Sequence, residues 1–126
     1  MDKRTGSFHP AIRHDIYREC PVLTERLVRE TIEAHPNLIG IFADNDRTGV
    51  GTAKGIRASG SKTVFAYAFD ANEEEIQAVE AGDLKGMIVQ KPFEMGYRVV
   101  RTALDVLEGK PVERFVDTGG DKRESE

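Results

Sequence analysis

"FADNDRTGVGTAKG", residues 42–55, is the stretch whose reading decides the fold. It leaves an apolar run, Leu38 to Ala43, and sets three polar residues, Asp44-Asn45-Asp46, in a row. It then places Gly49, Gly51 and Gly55 within seven positions. A continuous apolar run bounded by polar residues reads as a buried strand. Thr48 to Ala58 reads as a helix, although each glycine costs about 1 kcal/mol relative to alanine there. The unit is strand, polar turn, helix.

The same alternation extends both ways. Ala11 to Tyr17 reads as a weak strand. Leu23, Leu27, Val28, Thr31 and Ile32 recur at helical spacing, and His35-Pro36 closes that helix, His35 as a capping residue. Thr63 to Phe69 is the next strand. Asn72 can cap the helix that follows, with Glu73, Glu74 and Glu75 in a first turn where the helix dipole favours acids, and Gly82 ends it. Gly86 to Val89 is a short strand. Glu94 to Leu107 is an amphipathic helix, with Gly96, Val99, Val100, Ala103, Leu104 and Leu107 on one face, and Gly109 and Pro111 stop it. Val112 to Val116 reads as a last short strand, and residues 120–126 as a polar, solvated tail. Strands alternating with helices predict a three-layer α/β fold: a mainly parallel sheet with helices on both faces. Ligands of such sheets meet the carboxyl ends of the strands, here Asp44-Asn45-Asp46, Asp70 and Gln90-Lys91.

Three chemistries fit residues 42–55 to different degrees. A calcium loop would use Asp44, Asp46 and Thr48 with Gly49 at its sixth position, but the twelfth position needs a bidentate glutamate and holds Gly55. A dinucleotide loop needs G-x-G-x-x-G, and the second gap here is one residue too long. Asp44 and Asp46 would also repel a phosphate. A phosphate loop needs Lys and then Ser or Thr after its last glycine, where Ile56 stands. The glycines are better explained by close packing of helix on sheet. Beyond calcium and the two kinds of phosphate loop, the third chemistry is a neutral polyol. Asn45, Asp70 and Gln90 together offer donors and acceptors, as hydroxyl groups require. The plain alternative is that Asp46 caps a helix and Asp70 starts a turn.

Composition narrows the partners. The chain has 126 residues, enough for one domain. With 18 basic and 22 acidic residues its formal net charge is −4, which argues against nucleic acid as a partner. Cys20 is the only cysteine, so no internal disulfide forms. His9, His14 and His35 stand in no catalytic spacing with Cys20 or a serine, no metal-ligand cluster is visible, and neither an enzyme nor a cofactor is expected. The apolar runs are too short to span a bilayer, and the first residues lack the apolar core of a signal peptide.

Three stretches in order, "AHPNLIGIFADND" (34–46), "YAFDANEEEIQAVEAG" (67–82) and "GMIVQKPFEMGYRVVRTALDVLEGKPV" (86–112), resemble the C-terminal lobe of the type I periplasmic sugar-binding proteins, the ribose-binding-protein class. The resemblance runs from about Arg4 to Gly119. It implies that Asn45, Asp70 and Gln90 fall on sugar-binding positions, and that Arg4, four residues before Phe8, matches a further one. It implies a periplasmic or extracytoplasmic protein that binds sugar for ABC-type transport or sensing, and whose closed form is read by a membrane permease or receptor. Where the family has an aromatic ring near the start of the helix after Pro21, this chain has Glu19 and Cys20, with Tyr17 displaced. The family has two lobes, and the resemblance covers residues 1–119 as the second lobe alone, without its first strand. The expectation is a fragment or half-protein that binds free sugar only at millimolar concentration or more weakly. A homodimer or swapped assembly would cover the gap between Ala11–Tyr17 and Leu38–Ala43; failing that, the segment before Pro21 would fill it.

One alternative stands beside this. Lys91-Pro92-Phe93 after a strand also suits a response-regulator receiver domain phosphorylated on Asp44, with Lys91 sensing the charge. That reading wants an acidic pair after an early strand, where Asp15 stands alone, and Ser or Thr where Asp70 stands.

Overall fold

The computed structural model describes residues 20–125. The strand expected at Ala11–Tyr17, and Arg4 and Phe8, lie outside the described residues. The elements run α1 (Pro21–Ala34), β1 (Gly40–Phe42), α2 (Asp46–Ser59), β2 (Phe65–Phe69), α3 (Glu73–Glu80), β3 (Gly86–Gln90), α4 (Pro92–Leu107) and β4 (Gly120–Glu124). They form a mixed α/β fold whose four-stranded sheet, ordered β1-β2-β3-β4, is flanked by helices. β1 to β3 are parallel, and β4 pairs antiparallel to β3.

α2 forms despite its glycines because both ends are capped and one side is buried. Asn45 Oδ1 accepts a hydrogen bond from the Thr48 amide at 3.0 Å, and Gly60 closes the helix in the left-handed region at φ 68°. The glycines do pack closely, but only Gly49 faces the sheet, against Ala68. Gly51 and Gly55 face α1: a Cβ on Gly51 would lie 2.6 Å from the Pro21 carbonyl oxygen, and one on Gly55 would lie 2.8 Å from that of Glu25. Helix-on-helix approach is therefore the larger part of the glycine requirement.

The core lies on one face of the sheet. Ala66 and Ala68 of β2 and Met87 of β3 are fully buried beneath Val28 of α1, Ala53 and Ile56 of α2, and Ala78 and Val79 of α3. Alanines on β2 let α2 sit close to the strand. On the opposite face Phe42, Phe65 and Ile88 are exposed. α4 has the expected apolar stripe, yet none of its residues is buried, and Val99, Val100, Leu104 and Leu107 are all exposed.

Two expectations at the carboxyl end are corrected. Val112–Val116 is not a strand, because the edge of β3 that it would need is taken by Gly120–Glu124. Residues 120–124 are accordingly no solvated tail. Their side chains are polar and exposed, but backbone pairing with β3 needs no apolar side chain, and charges suit an edge strand. Lys91 Nζ lies 3.2 Å from an Asp121 carboxylate oxygen beside this pairing.

Candidate functional site

Parallel register carries the ends of β1, β2 and β3 to one edge. Phe42 pairs with Tyr67, so Asn45 and Asp70 each follow three residues beyond the same rung. Phe69 pairs with Ile88, and the Asp70 amide donates to the Ile88 carbonyl at 2.8 Å, which sets Gln90 beside Asp70. Gln90 Nε2 donates to Asp70 Oδ1. Asp70 has φ 76°, in the left-handed region that aspartate enters more readily than most residues, and there its backbone turns away from the strand. The turn reading of Asp70 and its place at the site are therefore compatible.

Asn45, not Asp46, is the side chain that caps α2. Its Nδ2 donates to Asp44 Oδ1 at 3.1 Å. Asp46 instead reaches the next turn: its Oδ2 accepts from Asn72 Nδ2 at 3.1 Å, while Asn72 Oδ1 accepts from the Glu75 amide at 2.9 Å. The first residue of α2 and the cap of α3 are thus tied by a hydrogen bond. Asp70 Oδ2 and Gln90 Oε1 accept no hydrogen bond among the described residues, so both remain able to receive a hydroxyl proton. At that edge Asn45, Asp70 and Gln90 are each half-buried. Concavities of about 260 Å³, beside Met87 and Arg123, and about 330 Å³, beside Arg98 and Asp105, lie elsewhere. Among the described residues no group of three or more His, Cys, Asp and Glu side chains is placed to hold a metal ion.

Residues 21–111 match the model of the periplasmic binding protein domain. The chain belongs to that family. The match decides against the receiver-domain alternative; Asp44 is an exposed residue whose Oδ1 accepts from Asn45 and, at 3.4 Å, from Thr48 Oγ1. The family's ribose import binding protein from Escherichia coli is 31% identical over 87 residues, 69% of this chain and 29% of that protein. The fructose import binding protein of Bifidobacterium longum is 35% identical over 78 residues, 61% of this chain and 24% of that protein. Among solved structures, an ABC transporter solute-binding protein from Agrobacterium vitis with bound D-fucose superposes with a TM-score of 0.73 at 29% identity, over 85% of this chain and 37% of that one. A carbohydrate transporter solute-binding protein from Agrobacterium radiobacter in complex with D-arabinose gives 0.73 at 30% identity, over 83% and 36%. The chain spans under a third of the curated relatives' length. These relatives are transport proteins, not enzymes. The family is periplasmic by its description, and no helix among the described residues is long and apolar enough to cross a membrane.

Residue-by-residue reading missed one group. Glu75 reads only as a first-turn acid that the helix dipole favours, but it is 0% exposed. The signal was present: Glu75, Ala78 and Val79 recur at helical spacing and are the three buried residues of α3.

Proposed function

We propose that this chain is a sugar-contacting lobe of a solute-binding protein for ABC-type import or sensing, acting outside the cytoplasm. Asn45, Asp70 and Gln90 are its sugar-binding residues, with Arg4 as a fourth. The observation that carries this is the Asp70–Gln90 pair at the carboxyl edge of the sheet in a chain of this family. The carboxylate accepts from hydroxyls, and the two amides both donate and accept, so the set suits a neutral polyol. A permease or receptor is the partner of the full assembly.

A single wall leaves most of a sugar in water, so affinity is low: millimolar or weaker, about −4 kcal/mol at best. Titration of ¹⁵N-labelled chain with D-ribose, D-fructose, D-fucose and D-arabinose tests this. Shifts should centre on Asn45, Asp70 and Gln90 and vanish in Asp70→Ala. Shifts centred elsewhere, or micromolar binding by the chain alone, would refute the reading.

We also infer a homodimer or swapped assembly. Among the described residues β1 pairs on one side only, and the exposed apolar residues of α4 and of the bare sheet face are costly to leave wet.

A further inference from the structure

Glu75 poses a problem that sugar binding does not solve. Its side chain has no exposed surface, and neither Oε1 nor Oε2 has a hydrogen-bond partner. A buried polar group without a partner is rare, and a buried carboxylate without a counter-ion is rarer. The space it occupies is specific. Its carboxyl end fills the place where a side chain on Gly49 would stand, against the backbone of α2, with the Ala68 methyl beside it.

The charges around it are all acidic. Asp46, at the start of α2, is the stronger influence, and Asp70, at the end of β2, is the weaker. The lysine that joins α2 to α3, Lys54, is held by Glu74 at 3.0 Å on the exposed surface. Burial first, then Asp46, push the Glu75 carboxyl up to about 7. The Asn72 amide opposes this without completing a hydrogen bond to either oxygen. The sign follows directly. Between about 4.5 and about 7 the folded chain keeps a proton that the unfolded chain has released, so stability falls as pH rises through that window and levels off above it.

We propose that Glu75 is a proton-controlled latch between α2 and α3. Neutral, it packs against Gly49 and keeps the start of α2 tied to the cap of α3. Ionised, it faces Asp46 and Asp70 with no cation, and the first turn of α3 relaxes away from α2, carrying Asn72 and the adjoining Asp70 with it. The latch works whether or not sugar is the ligand of the strand-end edge.

The test is a ¹³C-carboxyl and ¹⁵N-amide titration of the wild-type chain from pH 4 to 9, with urea unfolding at the same pH values for wild type and Glu75→Gln. The Glu75 carboxyl should titrate near neutrality, and the Asn72 and Asp70 amides should move with the same midpoint. The wild-type folded-to-unfolded ratio should fall, relative to Glu75→Gln, by roughly 200-fold between pH 4 and pH 9. The three histidines are common to both proteins and cancel in that comparison. Titration of Glu75 in the ordinary glutamate range, amides that ignore its midpoint, or identical pH profiles for the two proteins would each overturn the proposal. If Glu75→Gln does not fold, the wild-type titration alone decides.

Discussion

Replacing Gly49 by alanine tests the packing on which the buried carboxyl depends. The new methyl would collide with Glu75 Oε1, lie 2.9 Å from Glu75 Cδ and lie 3.0 Å from the Ala68 Cβ. The end of a glutamate side chain would ordinarily swing aside, but Glu75 is 0% exposed and enclosed by α2, α3 and β2. Overpacking of this kind costs up to about 3 kcal/mol. Alanine in place of glycine in a helix returns about 1 kcal/mol. The net loss is then about 2 kcal/mol, a Tm drop of roughly 8 °C at about 4 °C per kcal/mol for a chain of this size. The assay is urea unfolding at pH 5, where the folded chain holds Glu75 protonated, so that packing is measured without charge. The decisive comparison is the same substitution in a Glu75→Ala background. With the carboxyl gone, only the Ala68 methyl has to give by a few tenths of an ångström. Gly49→Ala should then lie between neutral and about 1 kcal/mol stabilising. Equal destabilisation in both backgrounds would refute the reasoning and make the sheet, not Glu75, the reason for glycine at this position.

Asn72→Ala removes both the cap of α3 and the bridge to Asp46, and should cost about 1–2 kcal/mol in urea unfolding; a loss within error would mean that the cap and its bridge add nothing. Light scattering at micromolar concentration should give the mass of a dimer, and Val100→Glu with Leu104→Glu on α4 should return it to the mass of one chain; a monomeric wild type would remove the assembly proposal.

The local order of the chain was legible because local order has local causes. The apolar run at 38–43, the asparagine at 72, and the glycines at 82 and 109 act on their own neighbours in sequence. The helices and parallel strands that they delimit follow from spacing and caps. Register did the rest for the candidate site. Parallel strands of an α/β sheet end on one edge, so the sequence alone raises the expectation that Asn45, Asp70 and Gln90 follow strands at that edge.

Tertiary structure decided what depends on a distant neighbour. Gly120–Glu124 carries no apolar pattern, and it becomes a strand only because β3 offers a free edge of backbone groups. Val112–Val116 carries the better strand composition, and the edge of β3 is already taken. The glycines of α2 announced close approach without naming the partner; that partner is α1 for Gly51 and Gly55, and Glu75 with Ala68 for Gly49. The α4 stripe announced a packing face, and among the described residues that face buries nothing. Glu75 is the sharpest case. A charged residue in a first turn is written the same way whether it meets water or a helix, and only the position of α2 across it removed the water and left its proton as the means of keeping it buried.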